Sequence, residues 1–225
     1  MSDLIPKGSL IVSCQARADN PFHGAQFMGA MALAAAQGGA QAIRVNGPDD
    51  VRSAVGAGLP VIGLNKIFSA DFPVYITPSF RAAEELVEAG ADIVALDCTG
   101  RPRDGELPEI IVRRINEELG ALAFADISTL EEGLAAEQMG VAYVSSTLSG
   151  YTDPRAPKAE APDLALIEAL ASRVSVPVIA EGRFNTPALA RAAIEAGAHA
   201  VVVGTMITNP REITKSFALE IGRAR

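Results

Sequence analysis

The segment Val178-Ile179-Ala180-Glu181-Gly182-Arg183 is a short apolar run that ends in a carboxylate, a glycine and an arginine. Its continuous apolar character is typical of a parallel strand that is buried on both faces. The chain contains eight runs of this kind: Leu10–Gln15, Ile43–Asn46, Val61–Asn65, Ile93–Asp97, Leu122–Asp126, Ala142–Ser146, Val178–Glu181 and Ala200–Gly204. Eight is the number of strands in a closed parallel barrel.

The segments between these runs have the periodicity of amphipathic helices, with charged residues interleaved among apolar ones. Examples are Ser79–Ala89, Leu107–Leu119, Thr129–Met139 and Pro187–Ala196. Glycine recurs where a helix must end before the next strand, because it adopts the left-handed conformation without a Cβ clash. The pattern predicts an α/β fold, a (β/α)8 TIM barrel, with residues 1–225 forming a single domain.

The composition limits the possible partners and the location of the protein. A net charge of −8 argues against a nucleic-acid partner, because binding to phosphate backbones requires a basic surface. No apolar run approaches the roughly 18 residues of a membrane span, and the start at Met1 lacks the apolar region of a signal peptide. We therefore expect no membrane partner and a cytoplasmic location. Cys14 and Cys98 lie in apolar runs and are predicted to be reduced structural thiols.

Polar residues close the apolar runs, and in a barrel these positions converge on the catalytic face. The candidates are Gln15, Arg44, Lys66, Asp97, Asp126, Ser146, Glu181 and Thr205. Structural alternatives remain open for three of them. Asp97 could pair with Arg101, Asp126 could cap the helix that opens near Ser128, and Ser146 could satisfy loop backbone.

Lys66 and Glu181 are the strongest candidates for catalysis, since a charge at the end of an apolar strand has little structural purpose. A lysine withdrawn from water can act as a neutral base, and a carboxyl facing an apolar wall is pushed towards its protonated form. The alternative is a buried salt bridge between the two, although such pairs add little net stability. The pair predicts proton transfer on and off a carbon atom.

The last two strands predict a phosphate site. Glycines follow both strands, in Glu181-Gly182-Arg183 and Val203-Gly204-Thr205, and let backbone N–H groups approach an anion. Arg183 could add a charged donor. The irregular stretch Ser149–Pro162 follows the sixth run, where a mobile lid over the site is plausible.

The chain resembles the N-acetylmannosamine-6-phosphate 2-epimerase (N-acylglucosamine-6-phosphate 2-epimerase) family along its whole length. The most specific matches are the loop Leu148-Ser149-Gly150-Tyr151-Thr152 and the turn Ile179-Ala180-Glu181-Gly182-Arg183. Further matches are Leu10-Ile11-Val12-Ser13-Cys14-Gln15, Ile62-Gly63-Leu64-Asn65-Lys66, Ala125-Asp126-Ile127-Ser128-Thr129 and Val203-Gly204-Thr205-Met206-Ile207-Thr208. The resemblance implies a barrel similar to those that bind ribulose phosphate.

The resemblance also implies an isomerase that interconverts N-acetylmannosamine 6-phosphate and N-acetylglucosamine 6-phosphate in sialic-acid catabolism, with no metal and no organic cofactor. The implied catalytic residues are Lys66 and Glu181, and the implied substrate contacts are Gln15, Arg44 and Asp126. The implied phosphate ligands are Gly182, Arg183, Gly204 and Thr205. We add Ser146, which closes the sixth run, and Tyr151, in the matching loop, to the predicted substrate-binding residues.

The chain departs from the family pattern at Asn209, where many members have an arginine between threonine and proline. A shorter amide cannot replace a bidentate guanidinium contact. Two other functions remain open: a Schiff-base aldolase that uses Lys66, and a barrel that binds sugar phosphates without catalysis. The apolar face of Ile213–Ile221 could serve a homodimer or could close the barrel exterior.

Overall fold

A computed structural model describes residues 4–153, 155 and 159–223. Eight parallel strands form a closed barrel in chain order, β1 to β8, with β8 paired to β1. The strands are β1 (Ser9–Cys14), β2 (Ala42–Asn46), β3 (Val61–Leu64), β4 (Ile93–Asp97), β5 (Leu122–Asp126), β6 (Tyr143–Ser145), β7 (Val178–Glu181) and β8 (Ala200–Val203). Each coincides with one of the eight apolar runs to within one residue at either end, so the TIM-barrel prediction is confirmed.

Helices connect the strands around the outside of the barrel. They are α1 (Ala25–Gln37), α2 (Pro48–Ala54), α3 (Phe80–Glu88), α4 (Pro108–Arg114), α5 (Leu130–Gln138), α6 (Leu164–Arg173), α7 (Pro187–Glu195), α8 (Thr205–Thr208) and α9 (Pro210–Arg223). The predicted helix Leu107–Leu119 is α4 followed by a π-helical turn, Ile115–Leu119. Gly120 ends that turn with a φ of 64°, a conformation that glycine adopts without strain.

Two apolar layers hold the barrel together, one inside the ring of strands and one between the strands and the helices. Side chains of a strand alternate between these two layers. The inner layer takes Ile11 from β1, Ala42 from β2, Ile62 and Leu64 from β3, Ile93 and Ala95 from β4, Phe124 from β5, Tyr143 from β6, Ile179 from β7, and Ala200 and Val202 from β8. The same alternation, continued to the carboxyl end of each strand, determines which side chains point into the mouth of the barrel.

The last helix, α9, differs from the others because none of its residues is buried. Its apolar residues Phe217, Leu219 and Ile221 are each more than half exposed. An apolar cavity of about 590 Å³ lies between the start of β1, α7 and α9, and Ile213 and Phe217 are among its lining residues. Within the described ranges, no helix is both long enough and apolar enough to cross a membrane.

Candidate active site

The inward series of each strand leads directly to the polar residues at the barrel mouth. Two residues beyond Ala42 is Arg44, two beyond Phe124 is Asp126, and two beyond Ile179 is Glu181. Lys66 continues the series of Ile62 and Leu64, and an antiparallel bridge to Ile76 holds its backbone. The alternation of a strand therefore brings these four side chains to the same end of the barrel.

Arg44 links the two carboxylates of the site. Its Nη1 and Nη2 donate to the two oxygens of Asp126 over 3.0 and 2.6 Å, and Nη1 also donates to Glu181 Oε2 over 2.8 Å. The Arg44 side chain is 1% exposed and Asp126 is fully buried. Burial disfavours the charge of Arg44, but Asp126 and Glu181 outweigh burial and raise its pKa. Asp126 is thus bound across the barrel and does not cap the following helix.

Lys66 follows β3, the strand that pairs with β2, and its Nζ donates to Gln15 Oε1 over 2.7 Å. Gln15 is itself oriented by a hydrogen bond from its Nε2 to Ser13 Oγ over 2.9 Å. Burial lowers the pKa of Lys66, and the positive charge of Arg44 lowers it further. The resulting amine is fixed by a neutral acceptor and can lose its proton more easily than a free lysine.

Glu181 has the opposite shift. Its side chain is 16% exposed, and burial raises the pKa of its carboxyl, while Arg44 acts in the other direction. The site thus contains an amine whose pKa lies below that of an ordinary lysine and a carboxyl whose pKa lies above that of an ordinary glutamate. Both shifts move these groups towards the neutral range in which general acid–base catalysis is most effective.

Thr147 is a site residue that the sequence analysis missed. Its Oγ1 donates to Asp126 Oδ1 over 2.6 Å, lies 3.3 Å from Glu181 Oε2 and is 2.9 Å from Ser145 Oγ. The alternate positions Tyr143, Ser145 and Thr147 carried a signal for it, although β6 ends at Ser145 and Thr147 lies in the short 3-10 turn Ser146–Leu148. Ser146 has the opposite parity, and its Oγ bonds the backbone oxygen and N–H of Glu181 over 3.0 and 3.1 Å.

Asp97 pairs with Arg101, the structural alternative that the sequence left open for it. It is fully buried, forms an ion pair with Arg101 and lies 3.6 Å from Arg103 Nη2. Arg103 also donates to the backbone oxygen of Asp97 over 2.8 Å. Because Thr99 occupies an oxygen of Asp97 as well, this carboxylate orders the loop after β4.

The predicted phosphate ligands lie on two neighbouring loops, since β7 pairs with β8. Gly182 and Arg183 have positive φ values of 114° and 62°, which makes a sharp turn after β7. Gly204 precedes the first residue of α8, Thr205, which is exposed. In the described part of the chain, the backbone N–H groups of Gly182, Arg183 and Gly204 donate to no backbone acceptor, so they are available to an anion.

Arg183 itself points towards the loop after β6. Its Nε donates to the Ala161 oxygen over 2.6 Å and its Nη1 to the Ser149 oxygen over 2.8 Å. The guanidinium lies 5.1 Å from the ring centroid of Tyr151, which is 52% exposed. Pro154 and residues 156–158 of the predicted lid lie outside the described residues, so the lid stays a prediction.

Asn209 contributes to a contact between two loops. Its Oδ1 accepts from Asn20 Nδ2 over 3.2 Å, and Arg211, two residues further on, donates to Asp19 over 3.1 Å. Both interactions fasten the loop after β1 to the start of α9. The amide that stands in place of the expected arginine therefore helps to hold two loops together.

The fold and the site define a TIM-barrel enzyme of the acid–base class, with a lysine, a carboxyl and a turn with free backbone N–H groups at one mouth. The profile of the NanE family, described as "Putative N-acetylmannosamine-6-phosphate epimerase", matches residues 28–223. The chain belongs to this family of epimerases, as the sequence resemblance predicted.

Individual relatives agree over nearly the full length. A Clostridium perfringens protein is 47% identical over 219 residues, which cover 96% of this chain and 98% of the relative. A Caldanaerobacter subterraneus protein is 48% identical, with 99% and 96% covered. Both carry the corresponding 2-epimerase name. The solved N-acetylmannosamine-6-phosphate 2-epimerase from C. perfringens is 46% identical, with a TM-score of 0.91 over 95% of this chain and 93% of the other.

A more distant likeness supports the fold alone. The thiamine phosphate pyrophosphorylase from Pyrococcus furiosus has a TM-score of 0.62 at 19% identity. It covers 95% of this chain and 93% of the other. Its barrel is similar although few side chains are shared.

Proposed function

We propose that this protein interconverts N-acetylmannosamine 6-phosphate and N-acetylglucosamine 6-phosphate, with Lys66 exchanging the proton at C2. The observation that carries this proposal is that Lys66, held by Gln15, and the Arg44–Asp126–Glu181 cluster occupy the same mouth of the barrel. The family membership favours an epimerase over the aldolase and the non-catalytic barrel.

The chemistry begins with opening of the sugar ring, which places an aldehyde at C1 next to C2. A neutral Lys66 takes the C2 proton, and the carbanion is stabilised as an enolate on the C1 oxygen. Return of a proton to the other face inverts the centre. A lowered lysine pKa increases the fraction of neutral amine available for the first step.

The Arg44–Asp126–Glu181 cluster has polar atoms suited to the sugar oxygens and the N-acetyl arm. The raised pKa of Glu181, caused first by burial, keeps a proton available for an oxygen that becomes negative. Because Asp126 holds two nitrogens of Arg44, the guanidinium cannot turn when the substrate enters. A site that is ordered before binding loses less free energy to reorganisation in the transition state.

A proton NMR time course in deuterated water tests the proposal, because it reports product and solvent exchange at C2 together. Wild-type protein should form product from N-acetylmannosamine 6-phosphate and incorporate deuterium at C2. Lys66→Ala should reduce both by at least about 100-fold, the usual contribution of a general base. Near-normal turnover and exchange in this variant would exclude Lys66 as the base.

We also propose a homodimer that covers the apolar residues of α9. Phe217, Leu219 and Ile221 are exposed, and the neighbouring cavity is mostly apolar, which is uncommon on a free surface. Light scattering of the wild type should give twice the chain mass, and Phe217→Glu together with Ile221→Glu should give monomers. A monomeric wild type would contradict the dimer.

The single domain and the cytoplasmic location stay predictions. A single cooperative unfolding transition would support one domain, and cell fractionation tests the location.

A further inference from the structure

We propose that the guanidinium of Arg17, on the loop between β1 and α1, is the phosphate-binding cation of this site. The inference rests on the proposed function and adds to it a residue that determines the affinity for phosphorylated sugars. Arg17 was not among the predicted site residues.

Among the described residues, the phosphate turn has no guanidinium that is free of protein partners. Two of the three guanidinium nitrogens of Arg183 donate to the backbone oxygens of Ala161 and Ser149. Asn209, at the end of α8, is uncharged and is bonded to Asn20. Backbone N–H groups remain, but a phosphate dianion held against a net charge of −8 benefits from a nearby positive charge.

The position of Arg17 follows from the course of β1. Ile11, Ser13 and Gln15 lie at alternate positions, with Ile11 in the inner layer of the barrel and Gln15 bonded to Lys66 in the mouth. Arg17 lies two residues after Gln15, on the loop that begins after Cys14, the last residue of β1. On the other side, β1 pairs with β8, and a Cβ built on Gly204 would lie 3.3 Å from Ser13 Cβ. The loop that carries Arg17 therefore leaves the barrel between the base and the phosphate turn.

Arg17 is also free to bind. Its side chain is exposed and, within the described residues, takes part in no hydrogen bond or ion pair, although its backbone oxygen accepts from Asn20 in a turn. By contrast, Arg44 is bound by Asp126 and Glu181, and Arg101 is bound by Asp97.

The charge of Arg17 acts on Lys66 in the mouth of the barrel. Burial and Arg44 are the main causes of the lowered pKa of Lys66, and Arg17 acts in the same direction. Burial raises the pKa of Tyr75, and the charges of Arg101 and Arg17 act against that rise. Both effects agree with the course of the Arg17 loop beside the base.

The test compares Arg17→Gln, Arg17→Lys and the control Arg191→Gln, which removes the same charge from the exposed surface of α7. Rates with N-acetylmannosamine 6-phosphate give kcat and KM, and calorimetry gives the Kd of inorganic phosphate. Arg17→Gln should raise KM and the phosphate Kd by about 10- to 100-fold, as expected for one charged hydrogen-bonded contact, while kcat changes less than about threefold. Arg17→Lys should be intermediate, and Arg191→Gln should match the wild type.

Three results would overturn the inference. The first is a KM and phosphate Kd for Arg17→Gln within about twofold of the wild type, and the second is an equal rise in Arg191→Gln. The third is a fall in kcat with unchanged KM, since it assigns Arg17 to the chemical step. The proposed function fails separately, if the wild type forms no product and exchanges no C2 proton. The calorimetric comparison of phosphate affinity still decides the role of Arg17 in that case.

Discussion

The ammonium of Lys66 is bonded to the side-chain oxygen of Gln15 over 2.7 Å. Glu181 is paired with Arg44 instead, so the buried salt bridge between Lys66 and Glu181, which the sequence left open, is not the arrangement of this site. The neutral amide of Gln15 accepts a hydrogen bond from Lys66. It stabilises the positive charge of the lysine less than a carboxylate in the same position would. The base can therefore reach its neutral form while its position stays fixed.

Gln15→Glu should move the rise of kcat/KM to higher pH. In the wild type the rate increases with pH as Lys66 loses its proton, through a pKa that burial holds below the ordinary lysine value. A carboxylate at position 15 stabilises the ammonium and raises that pKa by about 1–3 units. Gln15→Leu, which adds no charge, should lower kcat without an upward shift. A pH–rate profile for Gln15→Glu that rises at or below the wild-type pH would contradict the assignment of Lys66.

Glu181→Gln should reduce product formation and C2 deuterium exchange by the same factor, about 100-fold or more. Glu181 shares hydrogen bonds with Arg44 and Thr147, a setting suited to proton transfer at an oxygen during ring opening and enolate formation. The NMR time course measures both rates in one sample. Retention of C2 exchange with loss of product would instead place Glu181 on the opposite face of C2.

Thr147→Val should lower kcat by about 10- to 100-fold with little change in KM, because Asp126 and Glu181 lose the hydroxyl between them. Thr147 is a positioning residue, and Thr147→Ser keeps the hydroxyl and should remain within about threefold of the wild type. Steady-state kinetics of the two variants provide the measurement. Equal losses in both would show that the methyl group and its packing matter, and not the hydroxyl.

Asp126→Asn should destabilise the fold by roughly 3–5 kcal/mol. The buried charge of Arg44 loses its ion pair with position 126 and keeps only the one with Glu181. Urea denaturation measures this change in the free energy of unfolding. The matched control is Asp49→Asn, which breaks an exposed ion pair with Arg52 and should cost about 0–1 kcal/mol. Similar small losses in both variants would show that the buried pair does not support the barrel.

Much of the barrel could be predicted because its signals are local. A strand buried on both faces needs an apolar run, and Gly120 marks a helix end because its backbone is left-handed. The predicted mouth residues followed from the same pattern, and the alternation of β6, continued past Ser145, also leads to Thr147. Register along a strand is thus contained in the sequence.

The order of eight strands, the end of the barrel where the polar residues meet and the family of the protein follow from the amino-acid sequence alone. Which side chains pair at that end depends on the three-dimensional fold. Arg44 reaches Asp126 and Glu181 across 82 and 137 positions of the chain, and Arg183 turns to the carbonyls of Ser149 and Ala161. These pairings depend on the distances between segments that are far apart in sequence and on how deeply each side chain is buried. A charged group at the mouth of a barrel has several possible partners, and a buried charge that loses its partner costs free energy.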